Sequence, residues 1–140
     1  MKILLPVDGS EQSVRAAQHV VAEVRNCTDY SILLLNVQVP IDAPEIRSHM
    51  PQREIEAMQE TRGGDALAPA RAVLEKAGLG FTPAVLIGPV AETIAQFAAD
   101  QGCEKIVMGT RGLGAVAGVL MGSVTTKLLH LTDLPVTLVK

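Results

Sequence analysis

Short unbroken apolar runs alternate along this chain with stretches in which apolar residues recur every three or four positions. The first run, Ile3 to Val7 after Lys2, is bounded by Asp8-Gly9-Ser10. It predicts a strand buried on both faces, followed by a helix start. Ser10 has the chemistry of an N-cap, and Glu11 suits the first turn. Val14, Ala17, Val20, Val21 and Val24 then follow at helical offsets, which predicts an amphipathic helix over 11–25. Ser31 to Val37 contains Ile32-Leu33-Leu34-Leu35 and reads as a second buried strand. Residues 38–50 carry Pro40 and Pro44, with Pro51 next, and show little periodicity. They predict a long irregular connection.

Residues 52–77 are charged, Ala-rich and helical in character, but Gly63-Gly64 and Pro69 interrupt them and Asp65 offers a new N-cap. The expectation is a broken helix. Phe81 to Ile87 predicts a third strand, and Pro83 inside it argues for a sheet edge, because proline donates nothing to a ladder. Gly88-Pro89 leads into a helix with Val90, Ile94, Phe97 and Ala98 on one face, ended by Gly102. Lys105 to Met108 is a fourth strand, stopping at Gly109. A loop of glycine and small apolar residues runs from Gly109 to Gly122. Ser123 opens a last helix with Val124, Leu128 and Leu129 inward, and Leu134 to Val139 is a final strand. Strands alternating with helices call for a parallel sheet with right-handed crossovers and helices on both faces, an α/β fold in a single domain spanning 1–140.

Composition narrows the picture. Tyr30, Phe81 and Phe97 are the only aromatics, so the core is built from Val, Leu, Ile and Ala, as suits a doubly buried sheet. The net charge of −3 and the near absence of stacking side chains argue against a nucleic-acid partner. The opening apolar run is too short for a signal peptide, and no stretch approaches the ~20 apolar residues of a membrane span. A cytoplasmic protein is expected, with no membrane partner. Cys27 and Cys103 are then free thiols and form no metal pattern. His19, His49 and His130 do not cluster in sequence and fit surface or capping roles.

Ligands of open parallel sheets bind beyond the carboxyl ends of the strands, where strand order reverses. Those ends carry Pro6-Val7-Asp8-Gly9-Ser10 and Met108-Gly109-Thr110-Arg111-Gly112, and the second leads on to Gly122-Ser123 at a helix N-terminus. Helix N-termini and glycine-rich backbone suit phosphate. Asp8 has the chemistry to hold Mg2+, directly or through water, or to accept from a ribose hydroxyl. Glycines after strands also serve as plain turns, so spacing alone leaves both readings open. Neither the dinucleotide fingerprint nor the G-x-x-x-x-G-K-[ST] loop is present.

The pattern Gly109-x2-Gly112-x9-Gly122-Ser123 resembles the nucleotide-binding motif of the universal stress protein family. Ile3-Leu4-Leu5-Pro6-Val7-Asp8-Gly9-Ser10, Gly88-Pro89-Val90-Ala91-Glu92-Thr93-Ile94, Ile106 to Gly112, Gly122-Ser123-Val124 and Leu134 to Val139 extend the likeness along nearly the whole chain. The resemblance implies an open, Rossmann-like five-stranded parallel sheet of order 3-2-1-4-5, which puts Pro83 at an edge. It also implies roles by position. Asp8 would lie near ribose and metal, and Val37 would meet the adenine edge. Pro6, Val7 and Met108 would line the base and sugar pocket. Gly109, Gly112, Gly122 and Ser123, with Val124 and Thr125, would hold phosphates. Arg111 either reaches the terminal phosphates or faces solvent, and Lys127 is a further source of positive charge. The retained glycines imply the ATP-binding branch of the family, and relatives pair through the last strand, here Val136, Leu138 and Val139.

The leading functional expectation is a homodimeric stress-response module that binds ATP with Mg2+ and is read by an unidentified protein partner. A slow ATPase, or a protein phosphorylating itself on Ser123, Thr110 or Thr125, is the alternative, although no positioned base stands out in the sequence. A structural dimer without nucleotide is the third. A receiver-type signalling domain is disfavoured, since the first strand offers only Asp8 and the third ends at Ile87-Gly88.

Overall fold

The computed structural model describes residues 1–41, 44–113, 118 and 120–140. Its elements run β1 (Lys2–Pro6), α1 (Glu11–Val24), β2 (Ser31–Gln38), α2 (Pro44–His49), α3 (Gln52–Lys76), β3 (Thr82–Ile87), α4 (Val90–Asp100), β4 (Lys105–Gly109), α5 (Ser123–Leu131) and β5 (Val136–Val139). The five strands form one parallel sheet of order β3-β2-β1-β4-β5. The order implied by the family resemblance is thus the one observed, and Pro83 lies on an edge strand.

Alternation along the strands divides the core in two. Ile3, Leu5, Ile32, Leu34 and Val107 face Ala16, Ala17, Val20 and Val24 of α1 and Leu67, Ala70 and Leu74 of α3. Leu4, Leu33, Leu35, Ile106 and Met108 face Ala91, Ile94 and Ala98 of α4 and Leu128 of α5. Both faces of the sheet are therefore sealed, which is why the central strands are apolar at every position rather than at alternate ones. The helix starts follow local chemistry. Ser10 caps α1 by accepting from the Ser13 amide at 3.2 Å. Gly102, with φ of +66°, takes the left-handed position that follows α4.

Three expectations are corrected. The segment after β2 is not wholly irregular, because Pro44–His49 forms the short helix α2; Pro44 stands at its first position, where a missing N–H costs nothing. The second long helix is not broken: α3 runs without interruption for 25 residues, with Gly63, Gly64, Asp65 and Pro69 inside it. Packing overrides propensity here. Ile55, Gln59, Gly63, Leu67, Ala70 and Leu74 form one buried stripe, and that stripe sits so close to β3 that a Cβ on Gly63 would lie 2.3 Å from Val85 Cγ1. Finally, Leu129 is not inward but 41% exposed, whereas Leu128 is fully buried; α5 buries Thr125 and Leu128 on a narrow face. Part of the loop expected between Gly109 and Gly122 (residues 114–117 and 119) lies outside the described residues, as do 42–43 in the connection after β2.

The adjacent glycines of α3 make opposite demands. Gly64 has nothing within 4 Å of a Cβ built on it, whereas Gly63 meets both methyls of Val85. Replacing Gly64 by Ala is expected to stabilise the protein by ~0.5–1 kcal/mol through helix propensity. Replacing Gly63 by Ala is expected to destabilise it by ~1–3 kcal/mol through overpacking. Urea unfolding of the two variants beside the parent checks both signs.

Candidate functional site

The chain order of the sheet reverses between β1 and β4, which pair side by side. The crossover after β1 passes over one face through α1, and the crossover after β4 passes over the other through α5. The two connections diverge and leave a crevice at the carboxyl ends of the strands. A cavity of about 410 Å³ lies there, within the ~300–1,000 Å³ range of small-ligand sites.

Twelve residues singled out in the sequence line this one cavity. Pro6, Val7 and Asp8 enter from the end of β1 and Val37 from β2. Met108, Gly109, Arg111 and Gly112 enter from β4 and the turn after it, and Gly122, Ser123, Val124 and Thr125 from the start of α5. Leu35, Val90, Ile94 and Met108 contribute apolar lining, and Asp8, Asn36, Arg111 and Ser123 contribute polar lining.

The first turn of α5 presents backbone amides. Its first helical hydrogen bond runs from Thr126 N to Gly122 O at 3.1 Å, so the Ser123, Val124 and Thr125 amides precede it. The base of the glycine loop is closed by Gly122 N donating to Thr110 O at 2.8 Å. The hydroxyls differ. Ser123 is exposed, whereas Thr110 and Thr125 are buried. Thr125 Oγ1 donates to Gly109 O at 3.3 Å, so its hydroxyl is committed to the backbone.

The three motif glycines are not equivalent. A Cβ on Gly109 would lie 2.7 Å from Gln12 Cβ in α1, and one on Gly112 would lie 1.9 Å from Asp8 Oδ2. Both are required by the protein's own packing. A Cβ on Gly122 would meet only ordinary contacts, at 3.6 Å from Arg111 Cα and 3.8 Å from Thr110 O. A Cβ at Gly122 would thus touch its backbone neighbours without displacing them.

The Asp8 side chain in the cavity wall takes three hydrogen bonds. Its Oδ1 accepts from Ser10 N and Ser13 Oγ, each at 2.9 Å, and its Oδ2 accepts from Leu113 N at 2.9 Å. Partial burial opposes the charge, yet the Ser10 hydroxyl and amide, the Leu113 amide and the Ser13 hydroxyl outweigh it and hold the carboxyl below its ordinary pKa. One acceptor position remains on Oδ2 after this count. Among the described residues no group of three or more His, Cys, Asp or Glu side chains gathers as a metal site. A magnesium ion arriving with a polyphosphate fits this arrangement through a water on Asp8, since Mg2+ keeps most of its water shell.

Lys127 lies away from the cavity wall and pairs with Glu92 of α4. His19 faces Glu23 at 3.5 Å on α1, while His49 and His130 are exposed. Cys27 and Cys103 are free, and burial pushes the Cys103 thiol up. Seven lining residues were not singled out for the site, and two of them, Ser13 and Asn36, are polar. Ser13 is buried against Asp8, and the signal for it was the Ser-x-x-Ser spacing after Asp8. Asn36 is buried and donates to Val7 O at 2.8 Å; its signal was a lone amide closing an otherwise apolar run.

The profile of the universal stress protein family matches residues 1–140. The chain belongs to this family. A universal stress protein of Methanocaldococcus jannaschii is 30% identical over 141 residues, covering 99% of this chain and 81% of that one. The solved structure of another protein from that organism superposes with a TM-score of 0.85 at 27% identity, covering 99% and 94% of the two chains. An Arabidopsis thaliana family member solved with AMP bound shares the fold at a TM-score of 0.71 and 23% identity, covering 100% and 91%. Further fold neighbours, with TM-scores of 0.72 and 0.66, were solved in complex with cAMP and dAMP. No helix among the described residues of this family member is long and apolar enough to cross a membrane.

The lowered pKa of Asp8 gives a signed pH dependence. A depressed carboxyl contributes stability above its unfolded pKa and loses it as the pH falls through the folded value. The stability gap between the parent and Asp8→Asn is therefore expected to be full at pH 7 and to close as the pH drops below about 4. Urea unfolding at both ends of that range reads it.

Proposed function

We propose that the protein is a regulatory module that binds adenine nucleotide, with ATP and Mg2+ as the preferred form. The observation that carries the reading is the start of α5, where the Ser123, Val124 and Thr125 amides precede the first helical hydrogen bond and line a cavity at the switch point of the sheet. Unpaired amides at a helix start favour an anion. The apolar lining of Leu35, Val37, Val90, Ile94 and Met108 suits the faces of a purine. In this reading Pro6 and Val7 border the sugar and Asp8 accepts a ribose hydroxyl or a metal-bound water. Gly109, Gly112, Gly122 and Ser123 take the phosphates, with Arg111 at their outer end. Relatives solved with AMP, cAMP and dAMP support an adenine ligand.

Binding, not turnover, is the better account of the cavity. Among the described residues lining it, Asp8 is the one carboxylate. It already accepts from protein donors and is held below its ordinary pKa, so it is a weak general base. A cytoplasmic partner that reads the liganded state completes the proposal.

Titration calorimetry with magnesium-ATP tests this. The parent is expected to bind, and Gly122→Val to lose at least about tenfold in affinity while staying folded, its poorer N-cap costing about 1 kcal/mol. No binding by the parent would refute the reading.

The proposal also takes β5 as the strand where two copies meet. It is an edge strand, and Val136 and Leu138 pack on one face of the sheet while Val139 packs on the other. What the edge offers a second copy is chiefly main chain, as in antiparallel strand pairing about a two-fold axis. Sedimentation at micromolar concentration is expected to give a dimer for the parent and a monomer for Leu138→Pro, which removes a donor from the edge.

A further inference from the structure

We propose that Ser13 is a positioning residue that fixes the Asp8 carboxylate so that its second oxygen pins the start of the glycine loop. A hydroxyl can donate one hydrogen bond and accept two. Ser13 Oγ accepts from Asp8 N at 3.0 Å and from Ser10 Oγ at 3.3 Å. Both acceptor positions are filled, so its own proton goes to Asp8 Oδ1 at 2.9 Å. The Ser10 hydroxyl accepts from Ser13 N at 3.2 Å. Its proton is shared between Ser13 Oγ and the Asp8 carboxylate, whose charge it supports.

The carboxylate inherits that order. With Oδ1 taken by Ser10 N and Ser13 Oγ, Oδ2 is left for Leu113 N at 2.9 Å. Gly112 makes room, since a Cβ there would lie 1.9 Å from Oδ2. The segment leaving β1 is held on its other polar atoms too: Val7 N donates to Leu35 O and Val7 O accepts from Asn36 Nδ2, both at 2.8 Å. A hydroxyl serving only the helix would bond within α1. That of Ser13 spends its proton and one acceptor position on Asp8, outside the helix.

Residue Ser13 thus acts through Asp8 on Gly112 and Leu113, which line the cavity. The inference rests on the nucleotide reading only for its consequence in affinity; the arrangement itself is present without ligand.

The test is hydrogen exchange of the Leu113 amide by NMR in the ligand-free protein. Ser13→Ala is expected to speed it about tenfold or more, as is Asp8→Asn, which keeps an oxygen for α1 but turns an amide toward Leu113. The double variant is expected to exchange no faster than Asp8→Asn alone, since Ser13 works through that carboxylate. A folded Ser13→Ala protein with parental exchange at Leu113 would overturn the proposal, and so would a double variant in which the two effects multiply. If Ser13→Ala does not fold, Asp8→Asn decides alone, and a still-protected Leu113 amide rejects the arrangement. Failure of the parent to bind nucleotide would sink the function proposed above and leave the exchange result untouched.

Discussion

A parallel sheet can be stable only when both of its faces are kept from water, and the rest of this molecule follows from that constraint. Each crossover must carry a helix, and the helices go to opposite faces on the two sides of β1 and β4. Covering the faces leaves the strand ends as the place where polar backbone and side chains can meet a ligand. The cavity is therefore produced by the topology and only furnished by the residues around it.

Asp8 is the furnishing on which the others depend. It sits where β1 leaves the sheet and ties together the cap of α1 and the turn beyond β4, segments more than a hundred residues apart in the chain. A partly buried carboxylate is costly unless its lone pairs are used. Here backbone amides and serine hydroxyls use them. The same economy appears at Asn36, whose buried amide holds a carbonyl at the end of β1.

Much of this was legible in the sequence, for identifiable reasons. Unbroken apolar runs such as Ile32 to Leu35 mark doubly buried strands, and Pro83 marks an edge. The Gly109, Gly112 and Gly122 spacing pointed to the strand ends that do converge on one cavity. What was not legible depends on neighbours distant in the chain. Gly63 and Pro69 look like breaks to any local reading, but the stripe from Ile55 to Leu74 fastens α3 to the sheet and outweighs their propensities. The partner of Lys127, Glu92 of α4, lies 35 residues away in the chain and has no local signal. Ser13 looks like one more polar residue of a first helical turn; its partner is named only when Asp8 is seen folded back over it.

The contact between Gly112 and Asp8 Oδ2 also constrains how such a chain can change over time. A side chain at position 112 and a carboxylate at position 8 compete for the same space. The constraint runs one way: a side chain gained at 112 displaces the carboxylate at 8, whereas the acid can be lost while the glycine stays. An acid that disappears from 8 frees 112, and relieves Ser13 of its partner. The freedom of position 112 is thus set by what stands at 8, and that of 8 by nothing at 112.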